Sequence, residues 1–243
     1  MSNTDEELIF HTLKSAETVN PETEITERYF ANQLDRESVC GTDDRKRVTA
    51  TQGLPYVAIC KLFLTDQSGS VYVGTAWLTH SNKLYTAGHN LYDDKKSEWM
   101  KSVTVIPAKS GLSEPFGRYE ASELMVTRGW MDKSSHRYDM GAIKLSSDVS
   151  HSEFIVPYQT DANRASVVGY PADRDRGNFQ YEMESLVRKS NGQFHYFIDT
   201  YGGQSGSPCM IDGVRSIAIH NYGGCENSAS DLYPSFVDGI ENW

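Results

Sequence analysis

The sequence of 243 residues has no apolar run that approaches the length of a membrane-spanning helix, which needs about 20 residues. Basic residues are also few, since 23 Lys and Arg stand against 33 Asp and Glu and give a net charge of −10. Proteins that bind nucleic acids neutralise phosphates with lysine and arginine, and this chain has an excess of acids instead. We therefore expect a globular protein with no membrane partner and no nucleic-acid partner.

Cysteine is equally scarce, and the only cysteines are Cys40, Cys60, Cys209 and Cys225. No two of them have the short CxxC spacing of a zinc site, so we predict no metal and no cofactor. Cys60 lies within an apolar run and is predicted to be a buried thiol. Four cysteines allow three complete pairings, and the sequence does not choose among these pairings and free thiols.

The N-terminus lacks the pattern of a secretory signal, because acids stand where a signal has basic residues and its apolar stretch is short. Residues 1–37 hold nine acids and three bases, with weak helical periodicity over residues 6–17. Segments of this composition are usually solvated tails or removable propeptides. We expect an acidic leader over residues 1–37 and favour a cytoplasmic location, and the oligomeric state stays open.

Long amphipathic helical patterns are missing from the middle of the chain, where short β-rich segments take their place. Clusters of Gly, Pro, Asp and Asn separate these segments, as expected for strands joined by turns. The predicted strands cover residues 56–64, 71–78, 83–87, 102–107, 140–145, 165–170, 194–198 and 216–220. A short helix is predicted near residues 235–243. The pattern predicts an all-β fold, either a barrel or a sandwich.

One turn-like stretch, IDTYGGQSGSP at residues 198–208, has two interpretations. It is either a Gly/Ser connection between strands, or a backbone shaped around Ser205 in which Gly202 and Gly203 turn N–H groups into one pocket. The esterase motif G-x-S-x-G is incomplete, since Ser207 takes the place of its last glycine and a strand follows instead of a helix. A lipase or esterase is therefore disfavoured.

Two further residues have the setting that a serine nucleophile requires. His89, in TAGHN, directly follows a predicted strand at a turn of small residues, where its imidazole can reach a cleft. Asp139 opens a predicted buried strand, and a buried carboxylate needs a hydrogen-bond donor such as a histidine N–H. A structural role explains either residue alone. Together, His89, Asp139 and Ser205 follow the chain order of a chymotrypsin-type catalytic triad.

Three motifs, TAGH, YDMGAIKL and GGQSGSP, resemble the catalytic signatures of chymotrypsin-like serine proteases. The resemblance is greater to the Bacillus and staphylococcal V8-like glutamyl endopeptidases, and it covers most of the chain after the leader. It implies a serine endopeptidase built from two six-stranded antiparallel β-barrels, with the active site between them and a short C-terminal helix. The N-terminal barrel would span residues 38–150 with His89 and Asp139, and the C-terminal barrel residues 151–243 with Ser205.

The same resemblance implies an oxyanion hole and a substrate pocket. Backbone N–H groups of Gly203 and Ser205 would form the oxyanion hole. His220 ends the strand that forms one wall of the pocket, and Thr200 stands on the opposite wall. Both side chains can donate a hydrogen bond to a carboxylate, so the expected substrates are polypeptides with glutamate before the cut. The other interpretation of His220 is a core histidine whose ring is satisfied within the fold.

Processing is implied as well, because related enzymes have a mature chain that begins at the pair corresponding to Ser38 and Val39. The new α-amino group there helps to neutralise the substrate glutamate. In this chain the residue before the pair is Glu37. A glutamate-specific protease can therefore remove residues 1–37 itself, unless Glu37 is only one of many acids in an acidic leader.

The chain departs from its secreted relatives at one bridge. Bacillus-type enzymes have cysteines beside the catalytic histidine and on the preceding strand, whereas this chain has Asn90 and no cysteine in residues 71–78. Cys209 and Cys225 flank the predicted strand at residues 216–220, and their pairing is topologically possible. The missing bridge agrees with an intracellular or disulfide-independent enzyme.

Two alternatives to a simple active protease stay open from the sequence. The first is a catalytically inactive module with a protease fold, whose pocket binds acidic peptides without turnover. The second is a protease that its acidic leader keeps latent, as the effector of an intracellular defence system. The complete set of triad motifs speaks against the first alternative, and the second is compatible with an active enzyme.

Overall fold

The computed structural model describes residues 4–14 and 38–243, which form seventeen strands and two α-helices. The strands are β1 (Leu8–Thr12), β2 (Lys46–Arg47), β3 (Ile59–Thr65), β4 (Val71–Leu78), β5 (Lys83–Thr86), β6 (Tyr92–Asp93), β7 (Glu98–Trp99), β8 (Ser102–Pro107), β9 (Tyr119–Thr127), β10 (Gly141–Leu145), β11 (Val156–Pro157), β12 (Arg164–Gly169), β13 (Tyr181–Ser190), β14 (Gln193–Tyr196), β15 (Pro208–Met210), β16 (Arg215–Tyr222) and β17 (Asn227–Asp231). The helices are α1 (Arg128–Lys133) and α2 (Pro234–Glu241).

The first barrel is a closed ring of six antiparallel strands in the order β3, β4, β5, β10, β9 and β8. The ring closes where Thr104 and Val105 of β8 pair with Glu120 and Tyr119 of β9. Strand β1 pairs with the remaining edge of β9 and adds a seventh strand outside the ring. Closure removes the free edges that an open sheet of this size would expose.

The second barrel is a closed antiparallel ring in the order β12, β13, β14, β17, β16 and β15. Two short strands join it from outside, since β11 runs parallel to β16 and β2 pairs with β13. Strand β2 comes from the segment before the first barrel, so residues 46–47 belong structurally to the second barrel. The chain therefore forms two closed six-stranded antiparallel β-barrels, as the family resemblance implied.

The two barrels share a continuous buried core, which fixes one against the other. The largest apolar cluster contains the interior of the first barrel together with Val168, Tyr170, Met210 and Ile219 of the second. A hydroxyl group is satisfied within this junction, since the Tyr170 hydroxyl donates to the carbonyl of Lys109 at 3.1 Å. Closely packed protein interiors deform little. The shared core therefore keeps side chains of the two barrels at fixed positions relative to each other.

All eight predicted strands are confirmed, and helix α2 lies at the predicted C-terminal position. The sequence analysis missed four strands of the two rings: the three-residue strand β15, and β9, β13 and β17, which carry many polar residues. The helical periodicity expected over residues 6–17 is wrong where the structure describes it, because Leu8–Thr12 form a strand. Pairing with the edge of β9 stabilises residues 8–12 as a strand more than their weak intrinsic preference stabilises a helix. The predicted boundaries at residues 37 and 150 stay predictions.

The disulfide bond joins Cys40 to Cys225, with Cα atoms 5.7 Å apart, and the suggested Cys209–Cys225 pair is wrong. Cys209 points into the core of the second barrel and is a free buried thiol, whereas Cys225 lies in the loop between β16 and β17. Cys60 is a free buried thiol, as predicted. Burial raises the pKa of both thiols, which keeps them protonated and unreactive.

Candidate active site

His89 is positioned by the end of strand β5, where the chain turns through a short 3₁₀ segment at Gly88–Asn90. Its Nδ1 lies 2.6 Å from Oδ2 of Asp139, and its backbone N–H donates to Oδ1 of the same carboxylate at 2.8 Å. A Cβ atom on Gly88 would lie 2.9 Å from that Oδ1 and from the Trp130 ring. Glycine is therefore required at position 88 for the carboxylate to approach both groups of His89.

Asp139 is fully buried, two residues before strand β10 begins at Gly141. Burial by itself would raise the pKa of this carboxyl, but the His89 imidazole and hydrogen bonds from His89 and Tyr222 outweigh burial and lower the pKa. Asn221 also binds this segment, because its Nδ2 donates to the Asp139 backbone carbonyl at 3.0 Å. The charged carboxylate is thus stabilised by specific donors in a site that excludes water, and it fixes the orientation of the imidazole.

Ser205 comes from the second barrel and is 4% exposed. Two groups of the first barrel hold its backbone carbonyl, the N–H of Thr75 at 3.0 Å and Nδ2 of Asn90 at 2.9 Å. Asn90 directly follows His89 and also donates to Oγ1 of Thr86 at 2.9 Å. One side chain therefore ties the His89 turn to the Ser205 loop, so the structure brings the three residues of the predicted triad to the junction of the barrels.

Asn90 also occupies the place where the sequence analysis noted a missing bridge. A Cβ atom on Gly74 of strand β4 would lie only 2.7 Å from Nδ2 of Asn90. The turn and the preceding strand are therefore in close contact without a disulfide. The side-chain amide of Asn90 packs against the small residue at position 74 and donates to Thr86 and Ser205.

Hydrogen bonds of the loop around Ser205 orient the two backbone N–H groups that the sequence analysis predicted as oxyanion-hole donors. Gly203 has φ of +103°, and a Cβ atom there would lie 2.5 Å from the Tyr170 carbonyl oxygen. The Gly202 carbonyl accepts from the Ala172 N–H at 2.7 Å. Because C=O and N–H point in opposite directions across a planar trans peptide, this bond directs the Gly203 N–H the other way.

The N–H of Ser205 is oriented in the same manner. The carbonyl of Gln204, in the same peptide unit, accepts from the Ser207 N–H at 2.9 Å. The side chain of Gln204 is held as well, since its Oε1 accepts from the Tyr201 N–H at 3.1 Å. Two hydrogen bonds therefore set the directions of the two N–H groups that were predicted as oxyanion-hole donors. One lies within the loop, and the other joins the loop to Ala172.

The predicted pocket residues lie around the same loop. His220 is fully buried on β16, and its Nδ1 lies 2.6 Å from the Tyr196 hydroxyl. The backbone of His220 binds the nucleophile loop, since its carbonyl accepts from Gly206 N–H at 2.7 Å. Thr200 is also fully buried, and its Oγ1 has no hydrogen-bond partner among the residues that the structure describes. A buried hydroxyl of this kind is available to a ligand.

The segment that begins at Ser38 lies beside Thr200. The Ser38 carbonyl accepts from the Thr200 N–H at 3.2 Å and from Nδ2 of Asn227 at 2.9 Å. Val39 is half-buried in this segment, and the disulfide at the next residue anchors it to the β16–β17 loop. Glu37 lies outside the described residues.

Several residues that build the site escaped the sequence analysis. Tyr196, Tyr222, Asn221 and Asn227 stand in or beside strands and carry no motif of their own. Asp199 is buried and accepts from the N–H groups of residues 40 and 44, at 2.7 and 3.1 Å. The only available signal was the polar character of these residues within otherwise apolar strands, because a buried polar side chain needs a partner.

Comparison with known proteins places this fold in a family. The trypsin family model matches residues 55–243. A glutamyl endopeptidase of Bacillus licheniformis is 31% identical over 223 residues, covering 85% of this chain and 69% of that protein. A Bacillus subtilis protein named extracellular metalloprotease is 30% identical, covering 86% of this chain and 71% of that protein. A solved structure of a Glu endopeptidase in complex with MPD matches with a TM-score of 0.76 and 27% identity, covering 84% of this chain and 98% of that chain.

Two closed barrels that meet at such a junction are the fold of the chymotrypsin-like serine proteases. The chain belongs to the trypsin family, in the branch of the V8-like glutamyl endopeptidases, and it is a serine endopeptidase that acts on polypeptides. A relative named as extracellular gives no support to the cytoplasmic location expected from the sequence. Within the described parts of the chain, no helix is both long and apolar enough to cross a membrane.

Proposed function

We propose that this serine endopeptidase uses His89, Asp139 and Ser205 as its catalytic triad and cleaves after glutamate. The observation that carries the triad is the buried 2.6 Å contact between His89 and Asp139, with the adjacent Asn90 bonded to the Ser205 carbonyl. An imidazole oriented by a buried carboxylate, beside a serine on a shaped loop, is the arrangement that activates a hydroxyl for acyl transfer.

In the proposed reaction Ser205 Oγ attacks the carbonyl carbon of the scissile peptide, and its proton passes to His89 Nε2. The backbone N–H groups of Gly203 and Ser205 bind the oxyanion of the tetrahedral intermediate. His89 then gives its proton to the leaving amine, the C–N bond breaks and an acyl-enzyme remains. A water molecule attacks this ester with His89 as its base, and the carboxylic acid product leaves as Ser205 regains its proton. Asp139 stays ionised and stabilises the imidazolium.

Glutamate preference is supported by the polar groups of the pocket. His220 Nδ1 and the Tyr196 hydroxyl share a hydrogen bond of 2.6 Å, and in the tautomer in which the hydroxyl donates, the neutral ring carries its proton on Nε2. That N–H can bind a carboxylate without protonation of the ring, and Thr200 Oγ1 offers a second donor. Replacing these donors by apolar groups would leave a substrate carboxylate buried and unpaired. The Bacillus licheniformis relative is named a glutamyl endopeptidase, and this likeness supports the same preference.

His220→Ala is expected to lower the preference for Glu over the neutral isostere Gln about 10- to 100-fold. A hydrogen bond to a charged group contributes about 1.5–3 kcal/mol, and each 1.4 kcal/mol is about tenfold. The measurement is kcat/KM on two peptides that differ only at the residue before the cut. Tyr196→Phe, which removes only the hydroxyl, is expected to lower the same ratio by a smaller factor.

His80→Ala is the matched control, because His80 lies on the surface of the first barrel, 3.1 Å from Glu241. Its Glu/Gln ratio should equal that of the unmodified enzyme. A Glu/Gln ratio that does not change in His220→Ala, or faster cleavage after Lys or Phe by the unmodified enzyme, would refute the proposed pocket. Neither result would contradict the proposed catalytic triad, which does not depend on the substrate pocket.

Self-processing between Glu37 and Ser38 is part of the proposal, because the bond follows a glutamate and Ser38 lies against Thr200. Purified protein is expected to convert to a chain beginning at Ser38, as read by intact mass and N-terminal sequencing. Glu37→Gln should slow this cut by the same factor as the Glu/Gln ratio on peptides. Ser205→Ala protein, purified with no other protease present, should stay uncut, and trimming of that variant at the normal rate would contradict self-processing.

A further inference from the structure

We infer that residues 4–14 stay bound to the first barrel after the chain is cut between residues 14 and 38, so that the mature protease consists of two polypeptides. The sequence suggested that the whole leader is removable, but the start of the leader is built into the fold. This inference depends on the proposed self-processing only for the cut that opens the chain in the natural enzyme, between Glu37 and Ser38. The binding itself rests on contacts that do not depend on where or how the chain is opened.

The backbone of strand β1 completes the sheet at β9. Five residue pairs form the antiparallel register, from Leu8 opposite Thr127 to Thr12 opposite Glu123. Further hydrogen bonds extend the ladder at both ends, from Leu13 N–H to the Ser122 carbonyl at 2.9 Å and from Arg128 N–H to the Glu7 carbonyl at 2.7 Å. Loss of β1 would expose this edge of β9, and an uncovered edge strand promotes pairing with other chains.

Apolar side chains of β1 pack onto helix α2 and the C-terminus. The Leu8 side chain lies so close to Gly239 that a Cβ atom there would be 2.1 Å from Leu8 Cδ1. The rings of Phe10 and Trp243 have centroids 5.4 Å apart. These contacts join the first strand of the chain to its last helix, and burying apolar surface at such a site is the main source of binding energy for a short strand.

On the other face of the strand, His11 stacks on Trp99 of strand β7, with ring centroids 5.0 Å apart and an interplanar angle of 8°. Strand β7 pairs with β6, which follows the His89 turn. The leader strand therefore contacts the first barrel on two sides, through helix α2 on one and through the hairpin next to His89 on the other.

The acids before β1 match basic residues of helix α1. Glu7 binds the Arg128 guanidinium through both oxygens, at 2.8 and 2.9 Å, and Asp5 lies 2.6 Å from Lys133 Nζ. Exposed ion pairs add little stability individually. They do favour one register, because a shift of the strand by two residues would break both pairs. Two of the acids in the leader, Asp5 and Glu7, therefore form ion pairs with specific basic residues of helix α1.

The bound strand also supports the segment that carries Asp139. Helix α1, which Asp5 and Glu7 contact, leads through a turn at His136–Tyr138 directly into Asp139. Thr127, at the end of β9, donates from Oγ1 to the Tyr138 carbonyl at 2.5 Å. Release of β1 would free the edge of β9 and one side of α1, and we therefore expect the released form to lose activity as well as stability.

The test uses the full chain with the recognition site of an unrelated specific protease inserted between residues 20 and 21, in the Ser205→Ala background. This background prevents any cut by the protein itself, so failure of self-processing cannot affect the result. The protein is cut under native conditions and passed through size exclusion at micromolar concentration, and each peak is identified by mass. We expect the leader fragment to elute with the body and to separate only in denaturant. Elution of the leader as a free peptide would overturn the inference.

A second variant tests whether β1 itself holds the fragment. Leu8→Asp places a charge against Gly239 and should release the leader fragment at least about tenfold faster after the cut, because the partly buried Leu8 side chain packs on the core and an unpaired charge in its place loses hydration. The uncut Leu8→Asp chain serves to show that the body folds. Thr12→Ala, at an exposed position of the same strand, should release the fragment at the unmodified rate. Equal release from the Leu8→Asp and Thr12→Ala proteins would also contradict the inference.

Discussion

Ser205→Ala is expected to lower kcat for peptide hydrolysis about 10⁶-fold, as removal of a serine nucleophile does in other triad proteases. Alanine keeps the backbone of the loop, including the N–H groups of residues 203 and 205 and the carbonyl that Thr75 and Asn90 hold. Only the hydroxyl that is proposed to form the acyl-enzyme is lost. The rate that remains should come from binding and from the oxyanion hole, which supply about 10³–10⁴ over water.

The matched control is Ser207→Ala, two residues further along the same loop. The Ser207 hydroxyl is buried and has no hydrogen-bond partner in the part of the chain that the structure describes. Its removal should leave kcat near that of the unmodified enzyme. A peptide phosphonate should label the unmodified and Ser207→Ala proteins once and the Ser205→Ala protein not at all. A folded unmodified protein that is not labelled would instead favour the inactive, peptide-binding alternative.

The barrel strands were predictable where both faces are buried. Strand β3 is buried at every position and its sequence is almost continuously apolar, which is the simplest strand signal. Strand β13 was missed because one of its faces is solvated, with Glu184, Leu186 and Arg188 exposed along it. Its partner strands, not its composition, determine that it is a strand.

Strand β17 was missed for the opposite reason, because its polar residues are buried. Asn227 donates from Nδ2 to the carbonyls of Ile198 and Ser38, and Ser230 donates from Oγ to the carbonyl of His136. These side chains satisfy irregular backbone near the pocket and near Asp139. A pattern of small polar residues such as NSASD usually indicates a loop, and only the folded neighbours show why it is buried here.

The candidate site likewise has a part that could be predicted from the sequence and a part that could not. Short motifs predicted His89, Asp139 and Ser205 as the triad because the three occur in the chain order of a chymotrypsin-type site. The contacts that hold the site join residues far apart in the chain, such as Asn90 with Ser205 and Cys40 with Cys225, which are 115 and 185 residues apart. Closure of the barrels creates these contacts, and no local pattern encodes them.

Asp139→Asn is expected to lower kcat about 10⁴-fold, the loss seen when a triad carboxylate is changed to its amide. The His89 N–H donates to Oδ1 of residue 139 at 2.8 Å, so the amide of asparagine should keep its oxygen there and turn its NH₂ group toward His89 Nδ1. Nδ1 must then accept this hydrogen bond, and the imidazole proton moves to Nε2. An imidazole in this tautomer cannot take the proton of Ser205.

This explanation requires the loss to fall on kcat and not on folding or substrate binding. Asp139→Asn should keep its KM and its cooperative unfolding, because the amide has the size of the carboxylate and the backbone N–H of His89 still donates to its oxygen. Asp231→Asn, which removes a carboxylate 2.8 Å from Lys189 on the second barrel, is the control and should keep near-normal kcat. A loss below about tenfold in a folded Asp139→Asn protein, less than 1.4 kcal/mol of activation free energy, would contradict the role proposed for Asp139. A large loss confined to KM would contradict it equally, since a tautomer change acts on proton transfer and leaves the pocket as it was.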